Sequence, residues 1–275
     1  MTNKWLKVAL MVTAIATGTS IKIDAETVLY VPQDDRPVSL QYTVDTAREA
    51  GMTVLTPPQH LISGKTYQGQ ADQIMAWVEQ NAGRADVMVL STDTLIYGGL
   101  VDSRKHNIPL STLQNRLKRI EGLKARNKNV RIYGFGTVMR SPRASGGGTE
   151  PAYYAEYGPT IFQIAALQDK LDSGSLTQEE TQKLMSLQAS VPVEYLQDWF
   201  DRRQKNMKIN KELIDETRSG VFDYFALGHD DTSQLSQSAL EGRYLNKYSK
   251  DISVEKYGSF PGADQLGLLL MARSR

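Results

Sequence analysis

Carboxylates and arginines stand directly behind apolar runs at four places in this chain. Asp34, Asp35 and Arg36 follow Val28–Val31 in TVLYVPQDDRP, and Asp93 follows Val87–Leu90 in DVMVLSTDTLIYGG. Arg140 follows the run in VRIYGFGTVMRSPR, and His229, Asp230 and Asp231 close FDYFALGHDDT. Carboxyl groups brought together can divide acid and base work, because mutual charge and burial push their pKa values apart. In parallel α/β folds the C-terminal mouths of the strands lie side by side, so residues distant in sequence can share one pocket. The catalytic candidates are therefore Asp34, Asp35, Asp93, Asp230 and Asp231. The substrate-binding candidates are Arg36, Tyr97, Arg104, Arg140, His229 and Asp264.

Each motif also has a plainer reading. Adjacent strand residues point to opposite faces, so Asp34 and Asp35 can act together only where the backbone turns, and Pro37 fixes such a turn. The alternative is a capped turn with a surface ion pair. Asp93 can serve the pocket or cap a turn, while Gly98 and Gly99 permit close backbone approach or unusual dihedrals. Tyr97 can stack on a sugar face, and Ser103 and Arg104 extend the polar lining. Arg140 and Arg143 flank Pro142 and suit an anionic group. His229 with Asp230 and Asp231 has donors for a divalent cation, with Asp34 or Asp35 completing the set. No His-Glu-x-x-His pair is present, and His60 and His106 read as ordinary polar residues. The Ser-Gly-Gly-Gly-Thr stretch lacks a phosphate-loop ending, and no Gly-x-Ser-x-Gly elbow occurs.

The elements that must position these residues alternate. Strands are predicted at Val28–Pro32, Thr53–Thr56, Val87–Ser91, Val130–Phe135 and Tyr224–Leu227. Helices are predicted over 40–49 and 70–81, and again after Ser111, which forms a capping-box pattern with Gln114. Residues 153–220 read as a helical insertion, a candidate lid, with a second capping box at Thr177 and Glu180. Residues 145–148 read as a mobile loop. The fold class is α/β: a mainly parallel sheet or an incomplete β/α barrel-like domain with that insertion. At the C-terminus Leu266, Leu268, Leu269, Leu270 and Met271 predict a helix buried nearly all round. Its position at the end of the chain predicts further covering elements, from a longer chain or another subunit.

The 275 residues are 40% hydrophobic and 23% charged, enough for one sizeable core. A net charge of +1 without a basic stripe argues against nucleic acid. Lys4 and Lys7 precede the short apolar stretch 8–16, and Ile23, Asp24 and Ala25 offer a cleavage site. Residues 1–25 thus read as a secretory signal, with 26–275 as the α/β domain, secreted or extracytoplasmic, without a membrane span after cleavage. The absence of cysteine excludes disulfides, thiol catalysis and Cys-ligated zinc.

The segments VPQDDRPVS, STDTLIYGGLVDSR, GTVMRSPR, GHDDT and PGADQ together resemble the bacterial domain-of-unknown-function family forty-one twenty-seven. The resemblance spans essentially the whole chain after the leader. Members are longer, so it implies an N-terminal portion. Gln33 stands where the family commonly has an apolar residue such as Leu, and Gln265 where it has Glu; a catalytic Glu there would leave this chain impaired. The resemblance implies no reaction.

The residues themselves point to an exported hydrolase, a glycoside hydrolase acting on a cell-wall or extracellular glycan through paired Asp carboxylates. The alternatives are a metal-dependent hydrolase and a non-catalytic sugar-binding protein. No organic cofactor is indicated, a divalent metal is the open option, and the oligomeric state is open.

Overall fold

The computed structural model describes residues 25–144 and 147–275. The leader expected over residues 1–25 lies, but for Ala25, outside the described residues, and the loop expected at 145–148 lies partly outside them. Among the described residues no helix is long and apolar enough to cross a membrane.

Six strands form one parallel sheet: β1 (Thr27–Val31), β2 (Thr53–Leu55), β3 (Val87–Ser91), β4 (Arg131–Val138), β5 (Tyr224–His229) and β6 (Tyr257–Pro261). Their order is β2-β1-β3-β4-β5-β6. A β/α barrel would keep sequence order around its wall; here β1 lies between β2 and β3, so the architecture is the parallel sheet of the two expected. The strands read as near-continuous apolar runs because both faces are covered. Leu29, Val31, Met88, Leu90, Ile132 and Leu227 point to one side; Val28, Tyr30, Val87, Val89, Tyr133 and Ala226 point to the other.

The helices are α1 (Gln41–Glu49), α2 (Ala71–Asn81), α3 (Thr92–Tyr97), α4 (Leu100–Lys105), α5 (Leu110–Arg126), α6 (Tyr154–Asp172), α7 (Gln178–Ala189), α8 (Val193–Ser219), α9 (Gln237–Tyr248) and α10 (Leu266–Arg273). Helices α2, α5, α8 and α9 cover the first face through Ile74, Leu117, Leu213 and Leu245. Helices α1 and α10 cover the second through Val44, Ala47, Leu266 and Leu270. Right-handed crossovers require this division, since the path runs from β1 to β2 in one direction and then reverses for β3 to β6. Between β4 and β5, helices α6, α7 and α8 enclose a smaller cluster of Tyr154, Ile161, Ile164, Leu184 and Trp199.

Two local expectations change and one holds. The predicted capping box at Ser111 does not form: α5 starts at Leu110 with Pro109 before it and no side-chain cap, and Gln114 Nε2 instead donates to Glu212 Oε1 at 2.7 Å. The box at Thr177 and Glu180 is present in full. Helix α10 is buried on one side only. Gly267 meets Tyr30, where a Cβ would stand 2.3 Å from the phenol oxygen, while Leu269 is 41% exposed.

Candidate functional site

The segments following all six strands meet at the C-terminal edge of the sheet. They enclose a cleft of about 260 Å³ lined by Asp34 and Arg36 after β1, Gly64 and Lys65 after β2, and Leu100, Val101 and Arg104 after β3. Arg140 and Thr149 follow β4, Asp230 follows β5 and Asp264 follows β6. In an open sheet the crevice forms where the strand order reverses, here between β1 and β3. Two larger grooves of about 600 Å³ lie elsewhere, between α8 and α9 and along α10. Neither brings the strand-mouth motifs together, so the smaller cleft is the candidate site.

Of the residues expected there, Asp34, Arg36, Arg104, Arg140, Asp230 and Asp264 line this one cleft. Arg36 bridges two carboxylates: Nη2 lies 2.7 Å from Asp34 Oδ2 and 2.7 Å from Asp264 Oδ1. Burial works against its charge, but the bonds to Asp34 and Asp264 outweigh it and hold the guanidinium above its ordinary range. Arg104, 4% exposed, pairs with Asp230, and its Nη1 stands 4.0 Å from Glu150 Oε1. Burial pushes Arg104 down, and Asp230 pulls it back. Arg140 Nε donates to Glu150 Oε1 at 2.7 Å. Lys65 makes no ion pair among the described residues.

Asp93 sits at the first turn of α3 but caps nothing; Ser91 Oγ accepts from Thr94 N–H and does that. The Asp93 carboxylate accepts from Thr137 Oγ1 at 2.8 Å and Gln33 Nε2 at 3.2 Å. It is 2% exposed and does not line the cleft, a correction to its place among the pocket residues. Burial pushes it up to about 6 against those hydrogen bonds, and the Asp230 charge adds to the rise.

Four other expectations are corrected. Asp35 turns away from Asp34 to the Tyr67 hydroxyl, because adjacent residues at this turn diverge. Asp231 accepts from the backbone N–H groups of Ser233 at 2.9 Å and Ser141 at 3.3 Å, holding the β5 turn rather than entering the cleft. Tyr97 is buried and stacks on His106 with 4.9 Å between ring centroids, so it presents no face to a ligand. His229 leaves the cleft for Ser259. Arg143 lies over the Phe162 ring, 5.4 Å from its centroid, and is not in the cleft lining either. Gly98 ends α3 at φ 113°, and a Cβ on it would meet Gly69 O at 2.8 Å, so this glycine serves the turn and not a ligand.

The donor set for a divalent cation does not assemble. His229 faces away from Asp230, and among the described residues no three His, Cys, Asp or Glu side chains converge to hold a metal ion.

Gln33, Lys65, Thr137 and Glu150 were not singled out for the site by sequence. Only Gln33 carried a signal, as a polar residue at the end of an apolar run. Gln265 lies in the α10 groove and not in the cleft.

The chain belongs to the family described as Protein of unknown function (DUF4127), whose match covers residues 28–275. No curated protein matches it.

Proposed function

We propose that this protein is an exported hydrolase of glycosidic bonds in a cell-wall or extracellular glycan, with Asp34 and Asp230 as its carboxylate pair. The observation that carries the reading is their convergence: Asp34 after the first strand and Asp230 after the fifth line one cleft. One carboxyl group would protonate the leaving oxygen, and the other would attack the anomeric carbon or activate water. Arg36 and Arg104 hold the two side chains in place. Guanidinium and carboxylate groups in alternation also offer donors and acceptors matched to neighbouring sugar hydroxyls.

The test is reducing-end release from a panel of bacterial wall and extracellular polysaccharides. Asp34→Asn and Asp230→Asn should each lower kcat at least about 100-fold on the responding substrate, the usual scale for losing an acid or base. Unchanged release in both variants overturns the reading.

A second reading, sugar binding without turnover, is favoured by the ion pairs, since each carboxylate is already clamped by a guanidinium. Calorimetric binding of an oligosaccharide with no release over days would select it. Metal-dependent hydrolysis lacks an assembled donor set, and activity lost on chelation would revive it.

A further inference from the structure

We propose that Ser259 and His229 form a separate reactive centre, a nucleophile and base that cleave an ester-bonded acyl group. His229 Nε2 lies 2.7 Å from Ser259 Oγ. The two residues sit on neighbouring strands. Ser259 pairs with Leu227 across β5 and β6, two positions before His229, so both side chains share a face of the sheet. The contact is held from a third element. Gly242 lies within α9, where a Cβ would stand 2.6 Å from His229 Cε1. Glycine is unfavourable inside a helix relative to alanine, and here it makes room for the imidazole. A pocket of about 340 Å³ opens beside the pair, bounded by Asp231, Ser233, Asn246 and Phe260. It is distinct from the Asp/Arg cleft: Asp230 faces one, Asp231 the other.

Burial lowers the His229 imidazole below its ordinary range, so it is neutral at pH 7 and Nε2 can accept a proton. As Ser259 Oγ bonds to the acyl carbon, its proton passes to Nε2. The bond from that carbon to the alcohol oxygen then breaks, and the alcohol leaves with the proton. Water repeats the sequence and releases the carboxylic acid. The size of the pocket suits a short acyl group.

The test uses the full chain, a fluorophosphonate probe and mass mapping; the probe forms an Oγ–P bond with loss of fluoride. The expected result is a label on Ser259 that is absent in Ser259→Ala and forms at least about 100-fold more slowly in His229→Gln. p-Nitrophenyl acetate hydrolysis should fall in parallel in both. No label on Ser259 of the unaltered protein, or a rate indifferent to His229→Gln, overturns the proposal. Both readouts are independent of glycan cleavage.

Discussion

Asp93 is a carboxyl group whose burial changes its chemistry. Its usual value of 3.8 rises to about 6 in the fold, because burial penalises the charge. The folded state therefore binds the proton more tightly than the unfolded chain does. The stability tied to this group is fully present below pH 3.8 and is lost as pH rises through about 6. Replacing Asp93 with Asn removes that dependence. Urea unfolding should show Asp93→Asn gaining on the parent by about 2 kcal/mol more at pH 8 than at pH 4; an equal gap at both values would mean that the carboxylate ionises without cost. Gln33→Leu should raise the Asp93 titration further by removing one donor to its ionised form, which NMR titration of the carboxyl carbon would read. At this scale the sequence shows which residues stand at strand ends but not where neighbours point. Asp34 and Asp35 differ by one position, yet one enters the cleft and the other reaches Tyr67. The same split separates Asp230 from Asp231, because each turn rotates successive side chains apart.

Between elements, the contact of α5 with α8 carries a second proton-linked group. Glu216 rises to about 7, first through burial and then through the nearby charge of Glu121 and a hydrogen bond with it. A carboxyl group raised in this way favours the fold below its unfolded value of 4.5 and loses that contribution as pH passes through about 7. The site is half exposed, so solvent screens the repulsion and the expected effect is about 1 kcal/mol. Glu216→Gln should raise the melting temperature at pH 8 and leave it unchanged at pH 4; a gain at pH 4 would point to packing instead. In the cluster under α6 and α7, Trp199 is fully buried against Tyr154, with ring centroids 4.7 Å apart. Trp199→Ala should cost about 3–5 kcal/mol, measured as a shift in urea midpoint. Strands β1 to β5 are legible because each is an apolar run followed by turn residues. β6 was not: Tyr-Gly-Ser-Phe-Pro has neither an apolar run nor clean alternation, and its pairing on one side comes from β5. The Ser111 box fails because α5 already begins at Leu110, after Pro109, so Ser111 lies inside the first turn and not at the cap.

Strand order is a property of the whole molecule, and no local pattern encodes it. The sequence supports βα units and a shared C-terminal edge, but the placement of β1 between β2 and β3 depends on which long connections cross which face. That order gives the cleft its walls, because it brings residues following all six strands to one crevice. A ligand there binds only when every one of those segments is in place, so it must stabilise the native state globally. With the oligosaccharide that responds in the release assay at about 100 times its Kd, the unfolding free energy should rise by about 2.7 kcal/mol. Asp264→Asn sits at the exposed rim and should keep most of that gain. Asp230→Asn, beside the buried Arg104, should lose it even where turnover has already been abolished. Far-UV circular dichroism and Trp fluorescence should report the same ligand-induced shift. The three tryptophans lie at Trp5, Trp77 and Trp199, and two of them belong to α2 and α8, on either side of α5. A gain confined to one probe, or one that survives Asp230→Asn undiminished, would place the ligand outside the cleft and dissolve the link between strand order and binding.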